Sequence, residues 1–173
     1  MIEQCVILLM FVTLFAKDQD VSALEKMRSE FQQISSEEDI QTILDFKYEP
    51  ADKNEDQMIK AYKATATCML ANYVFSPVSK LKYFNEGKSS LEELISIKKD
   101  VENIYLRMLL QLNVPRSLNY HKNIEGDVEY LEASLADAPI DASYKQRMIE
   151  TLVGVAKKKD LRDVLLQIDV TEN

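Results

Sequence analysis

The chain has 173 residues with 29 acidic and 21 basic side chains, one His, two Cys, three Gly, four Pro and no Trp. A net charge of −8 opposes binding to nucleic acid or to an anionic membrane surface, both of which ask for a basic face. One His excludes zinc sites built on three histidines, and so little Gly leaves no phosphate-cradling loop.

The length suits one domain with a core of its own, without metals or disulfides. Apolar residues recur at spacings of three and four throughout, with no run of strict alternation, so the sequence predicts an all-α fold. Residues 5–16, CVILLMFVTLFA, form an unbroken apolar run of 12. That is shorter than the ~20 residues a bilayer span needs, so no transmembrane anchor is expected. The run matches the apolar part of a secretory signal peptide, with Ala16 before the cleavage point, although Glu3 stands where positive charge is usual. The expected organisation is a signal peptide over 1–16 and a single helical domain over 17–173, outside the cytoplasm. The alternative is a buried first helix of a cytoplasmic protein.

Val21, Leu24, Met27, Phe31 and Ile34 mark one face of the next helix. Ser35 and Glu38 offer a capping box for a short helix carrying Ile40, Ile43, Leu44 and Phe46. Residues 47–54 read as a loop, with Asn54 as the following cap. A helix over about 55–75 is rich in Ala and Thr, small enough for a neighbour to approach closely. Ser76 and Pro77 open the next helix, with Val78, Leu81, Phe84, Leu91, Leu94 and Ile95 as its apolar side. Gly87 within it predicts either a break, recapped by Ser89 or Ser90, or a backbone passing close by. Asp100 caps a helix over 101–112 that is apolar almost all round and needs cover on every side. Together 80–116 read as a helical hairpin. Residues 116–123 form a polar connector, and helices follow over about 124–135, 142–157 after the cap Asp141, and 161–168.

Gly87, Leu91 and Leu94 reproduce the four-then-three spacing of tetratricopeptide repeats, and LEELISIKKDVENIYLR resembles the junction between two such repeats. That resemblance implies antiparallel helical hairpins stacked in a tetratricopeptide-like arrangement. Residues 71–77 (ANYVFSP), the run from Lys80 and Leu81 to Gly87 and Lys88, and Tyr120 with Asn123 and Ile124 are similar to a group of exported proteins of Bacteroidetes-type bacteria. This second resemblance implies a helical, exported protein and brings no activity with it.

The chemistry-bearing residues are few. Cys68 sits among small and apolar helix residues and reads as a buried thiol. The acid groups 37–39, 92–93 and 125, 127, 129 read as solvated helix faces or partners of helix N-termini, and no cofactor or metal is expected. Arg107 stands on the most apolar helix and needs either a buried acid or an anionic group on a partner. Arg116, Asn119, Tyr120 and His121 give the connector donors and an aromatic face, and Asn72 before the Ser76 break can share a groove with them. The first expectation is therefore a non-enzymatic module binding a protein or peptide partner between hairpins. A small ligand-binding protein or enzyme using Arg107 and the connector is a second reading. A structural part of an envelope assembly is a third.

Overall fold

The computed structural model describes residues 21–170, so the apolar run over 5–16 and the expected signal peptide lie outside it. The described residues form eight α-helices and no strand: α1 (Ala23–Gln32), α2 (Glu37–Asp45), α3 (Lys53–Met69), α4 (Pro77–Ile97), α5 (Val101–Asn113), α6 (Ile124–Ser134), α7 (Ala142–Val155) and α8 (Lys159–Leu165). Short 3-10 turns, Leu70–Asn72 and Arg116–Leu118, follow α3 and α5. No described helix is long and apolar enough to cross a membrane.

The odd-numbered helices pack in a row, α1 on α3, α3 on α5 and α5 on α7. Each even-numbered helix packs on the odd one before it, giving four hairpins. The strongest pairing is α3 with α4, whereas α4 touches α5 only lightly. The stretch over 80–116 is thus the junction between two hairpins, and each of its arms has its main partner elsewhere. α5 meets α3, α4, α6 and α7, and nearly every residue from Val101 to Gln111 is buried, which is the cover its all-round apolar surface requires.

Local chemistry sets the helix starts. Ser76 accepts from the Ser79 amide with Pro77 in the first turn, Asp100 accepts from Asn103, and Asp141 accepts from Ser143 and Tyr144. Two caps differ from expectation by one or two residues. Ser36 forms the capping box, with Asp39 reaching back to the amides of both Ser36 and Ser35. Asp52, in extended backbone, caps α3 in place of Asn54. Ser22 and Glu25 form a further capping box at α1.

α4 runs unbroken through Gly87. A Cβ there would lie 2.3 Å from the Ala64 carbonyl oxygen and 2.7 Å from the Cys68 nitrogen, both on α3. The close passage of a backbone explains this glycine, and the small residues of α3 permit it. Further back along α4 the apolar pattern stops being core: Val78 is 79 % exposed and Leu81 is half exposed.

Candidate functional site

α5 supplies both buried ion clusters of the middle layer. Glu102 and Arg107 are five residues apart and leave the helix on different faces. Glu102 takes a two-pronged contact from Arg28 of α1, with Nε at 2.8 Å from Oε1 and the second nitrogen paired to Oε2. The Tyr62 hydroxyl of α3 donates to the same Oε1 at 2.5 Å. Because that proton is committed, the Tyr144 hydroxyl of α7, 2.5 Å away, donates to Tyr62. The cluster therefore ties together α1, α3, α5 and α7. Burial, with the Glu102 charge beside it, holds the Tyr62 phenol well above its usual range, and burial does the same to Tyr144.

The second cluster centres on Arg107, which is 7 % exposed. Its Nε donates to Asp127 of α6 at 2.8 Å, one terminal nitrogen pairs with the same carboxylate, and the other lies 3.1 Å from Glu92 of α4. Burial works against the guanidinium charge, and Asp127 and Glu92 more than restore it, so the side chain stays protonated. Glu92 also accepts from the Tyr120 hydroxyl at 2.5 Å. Burial and this acceptor push the Tyr120 phenol far up. The Tyr120 ring meets Phe84 edge-on at 5.7 Å, and the Lys88 ammonium lies over both rings.

Arg107 and Tyr120, two of the residues singled out from sequence, do come together, but through Glu92 inside the stack. Asn119 closes the 3-10 turn in left-handed backbone at φ 51°, a conformation Asn tolerates. His121 lies half-buried on the loop after it, and Arg116 is exposed on the turn. Asn72 is exposed and lines a cavity that the connector reaches through Ser117 and Leu118, not through Arg116, Asn119, Tyr120 or His121.

That cavity, of about 670 Å³, occupies the end of the molecule where α1, α3, α5 and α7 terminate and α4 begins. Its size is that of a ligand or anchor-residue pocket. Phe31 and Gln32 enter from α1, Cys68, Met69 and Asn72 from α3 and its turn, and Pro77, Lys80, Leu81 and Phe84 from α4. Leu109, Leu110 and Asn113 of α5, Ser117 and Leu118 of the connector, and Tyr105 and Thr151 line it as well. The α4 residues follow the spacing of three and four that places them on one face. In the chain segment around the lining residues Asn72 and Pro77, Tyr73, Phe75 and Val78 are exposed, Phe75 at 99 %. Burial pushes the Cys68 thiol up to about 12, which removes it as a nucleophile near neutral pH. Among the described residues, no group of three His, Cys, Asp or Glu is placed to hold a metal ion.

Sequence reasoning missed the acid partners of Arg107. Asp127 was grouped with Glu125 and Glu129 as a solvated face and is buried, while Glu92 points inward to Arg107 and Tyr120. A signal existed: Ile124, Asp127, Val128, Leu131 and Leu135 form one stripe at spacings of three and four, with an acid in the stripe. Lys145 was missed as well. It is buried, and its ammonium donates to the Ala136 carbonyl at 2.5 Å, just past the end of α6. Fold and site stand on their own geometry, since the chain matches no family model, no curated protein and no solved structure.

Proposed function

We propose that this chain is a non-enzymatic, tetratricopeptide-like helical stack that binds a segment of a partner protein at the cavity end. The single observation that carries the reading is the 670 Å³ cavity, which half-exposed Leu81 lines, with exposed Tyr73, Phe75 and Val78 in the chain segment around its lining residues Asn72 and Pro77. Several large apolar side chains left exposed within one short chain segment are a feature of interaction sites. A row of odd helices backed by even ones supports the repeat-like stack. The ion clusters support a scaffold role: the polar groups of Arg28, Glu102, Arg107 and Asp127 are spent on one another. Export belongs to the same proposal and rests on the apolar run over 5–16.

The test is photo-crosslinking in the native host with a photoreactive side chain at position 75. A discrete adduct is expected there, lost when Val78→Glu is added and not formed from exposed Gln41 on α2. Absence of an adduct at 75, or the same adduct from both positions, overturns the reading. Intact mass of the mature protein is expected to lack residues 1–16, and their retention overturns export.

A further inference from the structure

One wall of the cavity is built unlike the rest. Most of the lining is carried on α1, α3, α4, α5 and α7, whereas Pro115, Ser117 and Leu118 belong to the connector between α5 and α6. The turn Leu70–Asn72, which also contributes, packs firmly on α3 and α4. The turn Arg116–Leu118 packs on no helix more than lightly. Its backbone hydrogen bonds, from Leu118 to the Pro115 carbonyl and from Asn119 to the Arg116 carbonyl, close the turn on itself. Pro115, Arg116, Ser117 and Asn119 are exposed, and Leu118 is half-buried. A segment with so few buried contacts opens locally at little cost, without unfolding the rest.

A single latch holds this wall down. Among the described residues, the hydrogen bond from the Tyr120 hydroxyl to Glu92 of α4, at 2.5 Å, is the only one that joins residues 115–121 to an α-helix. The Tyr120 ring seats edge-on against Phe84, itself a lining residue, and the Lys88 ammonium over both rings adds to the hold. Release strands no charge. When Tyr120 leaves, Glu92 keeps its contact with Arg107, and Arg107 keeps Asp127. The Glu92 side chain is 34 % exposed, so water can take the place of the phenol. A hinge lies next to the latch. Asn119, at φ 51°, is the only residue among those described with a positive φ. The latched position therefore depends on left-handed backbone, which Asn tolerates and Ala resists. The other end is fixed, with Val114 extended before Pro115, whose ring restricts both residues.

We propose that residues 115–120 are a strap that gates the cavity, latched by Tyr120 on Glu92 and swung about Asn119. Latched, Ser117 and Leu118 stand in the cavity wall. Lifted, the strap opens that side of the cavity and admits the partner segment. The gate rests on the reading of this cavity as the binding site. Its motion is a property of the free chain and is measured without a partner.

Hydrogen–deuterium exchange of the full chain reads the strap directly. The Leu118 and Asn119 amides are expected to exchange through a local opening, faster than those of Ile104 and Leu106 in α5. Tyr120→Phe keeps the ring and removes the latch. It is expected to speed Leu118 and Asn119 about tenfold, as loss of one hydrogen bond to a carboxylate provides, and to leave α5 unchanged. Asn119→Ala, with the latch intact, is expected to speed the same two amides severalfold. Exchange of Leu118 and Asn119 only together with α5, or equal acceleration of both by Tyr120→Phe, overturns the strap. The position-75 adduct in the host reads the gate, and Tyr120→Phe is expected to raise its yield severalfold. An unchanged or smaller yield overturns gating and leaves the partner reading intact. No adduct from either chain overturns the partner reading and the gate with it.

Discussion

The two ends of α5 are built on opposite rules. Around Glu102 and Arg107 the charged groups and their tyrosines are paired, and the pairs knit α1, α3, α4, α6 and α7 to the central helix. Around Leu109 and Asn113 the neighbouring polar groups stand apart: Lys80 has no acid, Gln32 Nε2 has no acceptor, and Phe75 and Val78 face solvent. Burial and polarity occur in both places. Ion pairs tie helices together in the first place, and among the described residues none does so in the second.

Breaking the paired layer should have the largest effects. Glu102→Ala leaves Arg28 and Tyr62 without their acceptor in a buried site and is expected to lower stability by about 3–5 kcal/mol in urea denaturation. The tyrosines of this cluster also set an alkaline limit. Tyr62 and Tyr144 are held above the ordinary phenol value, and Tyr105 is pushed up to about 12 by burial. Their contribution is fully present below the unfolded value of about 10 and is lost as pH rises towards the folded values. Tyrosinate absorbance of these rings should therefore appear together with loss of helical circular dichroism, and ionisation in the intact fold would contradict the assignment.

Arg107→Met is expected to cost about 3 kcal/mol by stranding Asp127, and adding Asp127→Leu should recover most of it. Failure of the double variant to recover would mean Arg107 does more than neutralise that acid. Gly87→Ala forces α3 and α4 apart and should cost about 1–3 kcal/mol, read as a lower thermal midpoint. At the other end of the comparison, Phe75→Ser and Val78→Ser should change stability by no more than about 0.5 kcal/mol while lowering partner capture. A large stability loss there would show these side chains to be core.

The helices were legible because their punctuation is strong. Pro77 after Ser76, Asp100 before Val101 and Asp141 before Ala142 each sit where a helix must start, and the three-and-four spacing fills in the rest. Where capping residues crowd together the sequence cannot choose. Ser35 and Ser36, or Asp52 and Asn54, are equivalent on paper, and backbone conformation decides between them. The site was less legible for a related reason. Val78 and Leu81 share the apolar stripe of Phe84 and Leu91, and nothing in the stripe says that α3 stops short of covering its first turns. Arg107 announced its need for an acid, whereas Asp127 and Glu92 looked like surface until α6 and α4 were seen to turn them inward.

The enclosure of α5 also has a consequence for synthesis. A nascent chain that has emerged only as far as Val114 carries this helix with α3 and α4 available on one side and nothing yet on the side that α6 and α7 will take. Val101, Ile104 and Leu106 belong to a helix with no solvent face, so some of this apolar surface stays wet until the last third of the chain arrives. The cover of α5 is therefore not complete until α6 and α7 have emerged. A chain that crosses a membrane before folding would meet the same constraint on the far side, where α5 would wait for its C-terminal cover.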